Sequence, residues 1–232
     1  MDVREEVAAA LAQVRARMEA AAKGAGRDPA EVRLVAVSKL QPPERILAAL
    51  ESGQRVFGEN YVQEAKNRWP DLRERHDGIE LHLIGPLQTN KTAEAVALFD
   101  VIQSLDREKL ARSLVKERDR QGRLPRLLVQ VNTGEEPQKA GILPDALPGF
   151  LKLCRDELAL DIEGLMAIPP DGDDIAPHAA LLGKFAERHG LRERSIGMSA
   201  DYEPAIRFGA TMVRVGSAIF GARPPRDLPA GG

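Results

Sequence analysis

Cysteine is nearly missing from this chain of 232 residues: Cys154 stands alone, so neither an intrachain disulfide nor a cysteine-based metal cage can form. Within Phe150-Leu151-Lys152-Leu153-Cys154-Arg155 it reads as a packed thiol on a helix rather than a nucleophile. The four histidines, His76, His82, His178 and His189, show no metal-ligand spacing, and no metal is expected. Dense blocks of lysine or arginine are absent and the formal net charge is -2, which argues against a nucleic-acid or anionic-membrane surface. No apolar run approaches membrane-spanning length. The first residues carry Asp2, Glu5 and Glu6 without an apolar core segment and do not read as a signal peptide. A reducing, cytoplasmic setting is expected. Hydrophobic residues make up 43% and charged residues 29%, the balance of a soluble globular chain able to bury a substantial core.

What is present begins with Arg33-Leu34-Val35-Ala36-Val37-Ser38-Lys39, a β-branched run that stops at a lysine just before Gln41-Pro42-Pro43. It reads as a buried strand delivering one amine to its C-terminal end, with the prolines opening a helix. Period two places Val35, Val37 and Lys39 on one face. Low dielectric around such an amine disfavours its charged form. Neutral amines condense with aldehydes, and pyridoxal phosphate is the commonest biological aldehyde held in that way. A lysine at a strand end equally reaches back to water along its aliphatic stem.

Residues 2–22 place Val3, Val7, Leu11, Val14 and Met18 in one apolar stripe on a charged helix that Gly24 and Gly26 end. From residue 33 strands and helices alternate. Strands are expected at 33–39, 55–60, 79–85, 101–104, 126–132, 160–168, 194–198 and 211–216. Helices are expected over 43–50, 61–69, 90–99, from an N-cap at Asp106 to Gly122, and over 147–157, 177–188 and 202–208. The count predicts an α/β fold, a single (β/α)8 TIM barrel over 1–223 with an extra N-terminal helix at 1–26. A frayed tail rich in proline and glycine is expected over 224–232. The competing architecture is a doubly wound open sheet. That fold ordinarily carries a glycine-rich turn after its first strand, and Ser38-Lys39-Leu40-Gln41 is not one.

The functional face of such a barrel is the C-terminal end of its strands. It would gather Lys39, Glu59-Asn60, the turn from Gly85 to Gln88, Asn132-Thr133, Met166 to Pro169, Ser199 to Asp201, and Arg214 to Ser217. No pair of carboxylates with a histidine stands among them to suit hydrolysis. Barrels often bind phosphate with the loops after strands seven and eight. Here Ser199 follows the seventh and Gly216-Ser217 follows the eighth. Gly216 lets the backbone approach an anion closely, and Ser199 and Ser217 add hydroxyls; two ordinary tight turns would read the same way. Lys39 and this cradle are neighbours in a closed barrel, so one ligand could carry both an aldehyde and a phosphate. Arg214 shares the face of Gly216. Against a pyridine nitrogen its permanent charge would oppose ring protonation; an ion pair with Glu59 or Asp201 would also serve it.

Several ordered motifs carry a family resemblance: Val35-Ala36-Val37-Ser38-Lys39, residues 57–64 from Phe57 to Glu64, residues 82–91 from His82 to Lys91, Gly164-Leu165-Met166, Gly197-Met198-Ser199-Ala200-Asp201, and residues 214–221 from Arg214 to Gly221. Together, over about residues 33 to 223, the chain resembles the pyridoxal phosphate homeostasis proteins. The resemblance implies a single barrel like the N-terminal domain of alanine racemases, the fold type III barrel of pyridoxal-phosphate proteins. It implies Lys39 as the Schiff-base lysine, with Ser199, Gly216 and Ser217 on the phosphate. It places Arg214 against the pyridine nitrogen and Asn60 beside the ring. The family often has threonine where Ser217 stands, which keeps the hydroxyl. Lys139, in Gln138-Lys139-Ala140-Gly141, matches a family lysine and is a candidate secondary amine for cofactor hand-over.

Three functions compete. In the first the protein binds pyridoxal 5'-phosphate reversibly and buffers it or delivers it to apo forms of dependent enzymes, without substrate turnover. In the second it is an amino-acid racemase, which needs a base on each side of the substrate α-carbon. Alanine racemases share only the barrel; their second domain is not expected here, and the only phenols, Tyr61 and Tyr202, have no evident placement opposite Lys39. An open, wet mouth would also screen the field that carbanion chemistry needs. In the third, an aldolase uses Lys39 on a sugar phosphate, with Glu59 as the one available acid. The first reading is preferred, for a monomer with no nucleic-acid or membrane partner and no catalytic residue.

Overall fold

The structure, a computed structural model, describes residues 2–222; the tail expected over 224–232 lies outside the described residues. Eight parallel strands pair in chain order and close on themselves. They are β1 (Arg33–Val37), β2 (Val56–Glu59), β3 (Glu80–Leu83), β4 (Val101–Leu105), β5 (Arg126–Val131), β6 (Ile162–Ala167), β7 (Glu193–Ser195) and β8 (Met212–Val215). Closure is made by β1 against β8, with Val35 opposite Arg214 and Ala36 opposite Val215. The open-sheet alternative is thereby excluded.

Helices α1 (Val3–Gly24), α2 (Pro43–Glu51), α3 (Val62–Arg75), α4 (Thr92–Leu98), α5 (Glu108–Gln121), α6 (Leu147–Lys152), α7 (Ile175–Arg188), α8 (Tyr202–Arg207) and α9 (Ser217–Phe220) surround this ring. Cys154 is buried in the π-helical continuation of α6, and burial pushes its thiol up to about 11, so it packs as expected rather than reacting. Among the described residues no helix is long and apolar enough to cross a membrane.

The period of two along each strand sorts side chains between two environments. Leu34, Ala36, Phe57, Leu81, Leu83 and Val213 join the main apolar layer between strands and helices. The opposite phase faces the barrel axis, where Val101, Leu128 and Met166 form a smaller cluster with Ile168 above it. Buried polar residues, His82, Gln103, Ser195 and Arg214, share that inner phase, which sets this barrel apart from one filled by aliphatics alone. At the N-terminal end Arg33 pairs with Glu80 at 3.4 Å and Glu193 at 2.8 Å, and Arg126 pairs with Glu80 at 2.7 Å.

Helix α1 packs on its own barrel, the fate its stripe predicts: Val7, Leu11, Val14 and Met18 are all buried. Asp2 and Glu5 form a capping box at its start. It reaches α2 through Arg45 and Glu6 at 3.1 Å and α8 through Arg17 and Glu203, with the Arg17 guanidinium 5.6 Å from the Tyr202 ring centre.

Three local expectations need correction. Strand β1 ends at Val37, so Lys39 stands two residues beyond it in a turn. Helix α3 runs through Pro70 to Arg75, because Trp69 is anchored on Phe57 with ring centres 4.8 Å apart and the following turn is held by Arg73 on the Leu98 carbonyl at 2.8 Å. Asp106 does not cap α5: Arg107 stands at the N-cap, and the Asp106 carboxylate takes its guanidinium instead.

Candidate functional site

Lys39 sits in the turn between β1 and α2, and two residues of α3 strap that turn down. Arg68 of α3 donates to the Ser38 carbonyl at 3.1 Å and to the Gln41 carbonyl at 3.0 Å. Glu64, one helical turn earlier, accepts the Leu40 N–H at 2.7 Å. Leu40 itself takes the left-handed conformation, with φ 59°, which costs a side-chain-bearing residue about 1 kcal/mol. The strain persists because the straps on either side leave the chain no other path.

Beneath the turn lies Glu59, fully buried on the outer phase of β2. One of its oxygens accepts from Ser38 Oγ at 2.7 Å, Arg68 Nη1 at 2.9 Å and Trp69 Nε1 at 3.1 Å, while the other has no hydrogen-bond partner among the described residues. Burial raises the Glu59 carboxyl above the usual range, against the pull of Arg68. This overturns two expectations. Glu59 faces the helix layer rather than the barrel mouth, so it pairs with Arg68 rather than Arg214, and it is not placed as an acid beside Lys39.

The two turns named in the sequence for an anion cradle are brought together. The Gly216 and Ala218 N–H groups both donate to Ser199 Oγ, at 3.2 and 3.3 Å. Two backbone donors thus converge on one oxygen, the arrangement an oxyanion requires. A Cβ added at Gly216 would meet the Val37 carbonyl oxygen at 3.3 Å, across the β1–β8 seam. Asp201 fixes the preceding turn by accepting the Met198 N–H at 2.6 Å.

Arg214 points inward from β8 and is 3% exposed. It donates to Ser195 Oγ and to the Ala167 carbonyl, each at 2.8 Å, and among the described residues it forms no ion pair. Burial pulls its guanidinium down to about 10, with the Asp201 carboxylate acting in the other direction. Asn60 is set by a close approach: a Cβ at Gly85 would lie 2.3 Å from the Asn60 carbonyl oxygen, so only glycine fits there.

Lys39, Asn60, Ser199, Arg214, Gly216 and Ser217 all line one cavity of about 290 Å³ at the C-terminal end of the barrel. Val37, Ile84, Ile168 and Met198 supply apolar wall to the same space. Val37 shares the face of Lys39 as the sequence places it, and Ile168 belongs to the Met166–Pro169 stretch named for the rim; Ile84 and Met198 were not assigned to the site by sequence, although Ile84 stands at a strand end in the inner phase, which is the signal that finds it. Lys139 is not on this wall: its amine donates to the Pro169 carbonyl at 3.1 Å and pairs with Glu136 at 2.6 Å. Neither phenol lines the cavity. Tyr61 is exposed at the start of α3, and Tyr202 is buried beneath Arg17.

Fold and cavity together define a closed parallel barrel that presents a lysine, an arginine and converging N–H donors at one mouth. The family model described as alanine racemase, N-terminal domain, matches residues 9–224. The chain belongs to that family and, within it, to the pyridoxal phosphate homeostasis proteins. A pyridoxal phosphate homeostasis protein of Pseudomonas aeruginosa is 42% identical over 225 residues, covering 94% of this chain and 96% of its own. The solved structure of PipY from Synechococcus elongatus with PLP bound is 36% identical, with a TM-score of 0.78 over 93% of this chain and all of that one (100%). An alanine racemase from Bartonella henselae, at 16% identity and a TM-score of 0.71, covers 99% of this chain and 62% of its own. That likeness concerns the fold alone.

Proposed function

We propose that this protein is a cytoplasmic, monomeric carrier that binds pyridoxal 5'-phosphate as a Schiff base on Lys39 and buffers it or delivers it to apo-enzymes, without turning over a substrate. The observation that carries this reading is the single cavity that joins Lys39 to the N–H groups converging at Ser199. The donor set fits the cofactor. The Ser199 hydroxyl oxygen already receives both N–H groups at the cradle, Ser217 lines the same cavity, and Ile84, Ile168 and Met198 offer apolar wall to a flat ring. Lys39 would hold the aldehyde carbon, Gly216, Ser199 and Ser217 the phosphate, and Asn60 one edge of the ring. Arg214, a permanent cation, would face the pyridine nitrogen and oppose its protonation, weakening the electron sink that racemisation needs. The bound group supplies electrophilic carbonyl chemistry. The relatives' names and the PLP held by PipY support the same assignment.

The test is borohydride reduction of protein loaded with pyridoxal 5'-phosphate, followed by mass spectrometry. The expected adduct lies on Lys39 and disappears in Lys39→Ala; an adduct confined to another lysine would overturn the assignment. Interconversion of alanine or serine enantiomers at about 1 per second or faster would instead establish the racemase reading. Release of the cofactor to an apo-enzyme, followed by recovered activity of that enzyme, distinguishes delivery from storage.

A further inference from the structure

Below Arg214 the barrel axis holds a line of polar side chains that no part of the cofactor assignment uses. Ser195, Gln103 and His82 are each fully buried, on β7, β4 and β3, and the line ends at Glu80 on the N-terminal rim. Arg214 Nη1 donates to Ser195 Oγ at 2.8 Å. A guanidinium cannot accept, so the Ser195 proton goes to Gln103 Oε1, at 2.5 Å. That bond fixes the amide, whose NH2 then faces His82 Nδ1 at 2.7 Å and makes it an acceptor. The single ring proton is left on Nε2, which donates to the Glu80 carboxylate at 2.6 Å. A donor-only cation at one end and an acceptor-only anion at the other impose the same direction on every bond between them.

We propose that Ser195, Gln103, His82 and Glu80 are positioning residues that hold Arg214 through a hydrogen-bond chain with one permitted arrangement of protons. The inference rests on the reading of the cavity as the pyridoxal 5'-phosphate site. Its chemical point is that Arg214 is oriented by a neutral hydroxyl and a carbonyl rather than by an adjacent carboxylate. Tethers of this kind fix the guanidinium in place without cancelling its charge, which stays available to the ring nitrogen. The negative end of the line is kept ionised at the far rim, where Arg33 and Arg126 also hold Glu80. A second proton on His82 would turn two N–H groups toward one another at Nδ1, so the imidazole stays neutral.

Two measurements test the chain. In nitrogen-15 histidine-labelled wild-type protein, with or without cofactor, His82 is expected as the neutral Nε2–H tautomer from about pH 5 to about pH 8. A protonated ring, or an Nδ1–H tautomer, overturns the proposal. The second measurement uses cofactor labelled at the ring nitrogen. Gln103→Met, which does not touch Arg214, is expected to move that resonance in the same direction as Arg214→Gln and to weaken cofactor binding about fivefold to tenfold. Ser195→Ala should do the same and takes its place if the first variant does not fold. A resonance and affinity unchanged from wild type in a folded variant overturn the chain. The two readings fail separately: absence of a Lys39 adduct in wild type sinks the cofactor assignment, whereas the His82 tautomer judges the chain by itself.

Discussion

Replacing Arg68 with alanine should expose how the Lys39 turn is held. Arg68 is the cation of a fully buried carboxylate and also carries two backbone carbonyls of that turn. Among the described residues its removal leaves Glu59 with only the Ser38 hydroxyl and the Trp69 indole as donors, one carboxylate oxygen having no hydrogen-bond partner there even now. Breaking a buried pair from one side costs about 3–5 kcal/mol, and the 18% exposure of the Arg68 side chain puts the figure at the low end, about 3 kcal/mol. For a chain of this size that corresponds to a fall in Tm of about 6–12 °C. The pH dependence has a definite sign. Because the folded Glu59 carboxyl titrates above its ordinary 4.5, its contribution to stability is fully present below that value and is lost as pH rises through the folded pKa. Removing Arg68 raises that folded value further, so the gap between variant and wild type widens from about pH 5 to neutrality. Adding Glu59→Gln removes the unpaired charge and should recover about 2 kcal/mol, read as the coupling in a double-mutant cycle of urea melts. Additive losses in the cycle, or a gap that does not change with pH, would refute this account of the turn.

Gly85→Ala should destabilise by about 1–3 kcal/mol, because the new methyl would stand 2.3 Å from the Asn60 carbonyl oxygen and 2.7 Å from its Cα, backbone atoms that cannot swing aside; a thermal melt within a degree of wild type would show that the contact is relieved for free. At the opposite rim Glu80 titrates at about 2, held down first by His82 and then by Arg126 and Arg33, so its stabilisation is present above about pH 4.5 and is lost as pH falls toward 2. Glu80→Gln should therefore flatten the acid limb of the stability curve in that window, and an acid-unfolding profile superimposable on wild type would contradict the assignment.

The alternation of strands and helices was legible because each strand carries an apolar phase for the helix layer and each helix a 3.6-residue stripe. The mouth residues were legible for a related reason: a barrel places every strand end on one rim, so order along the chain already names the neighbours. Glu59 shows where that logic stops. It stands at a strand end like Lys39, yet it has the parity of Phe57, and the outer layer claims it. Asp106 was misplaced because a capping residue is recognised by type, while the guanidinium one residue later competes for its oxygens. The line from Arg214 to Glu80 was illegible for a deeper reason. Its members are scattered over four strands, and only closure of the ring with its particular stagger puts a serine, an amide and an imidazole in single file. A polar residue in the inner phase of each of those strands was the available signal, but parity alone says nothing of which faces which.

The seam where β1 meets β8 bears on when, as well as where, the cavity exists. Its amine comes from residue 39 and its converging N–H groups from residues 216 and 218, so about three-quarters of the chain separates the two halves. During synthesis the lysine leaves the ribosome long before the strand that will flank it, and until Arg214 settles opposite Val35 the proposed Schiff-base lysine has no proposed phosphate turns beside it. On the proposed assignment a truncated or stalled chain would sequester no ligand, and capture becomes a certificate that the last strand has docked.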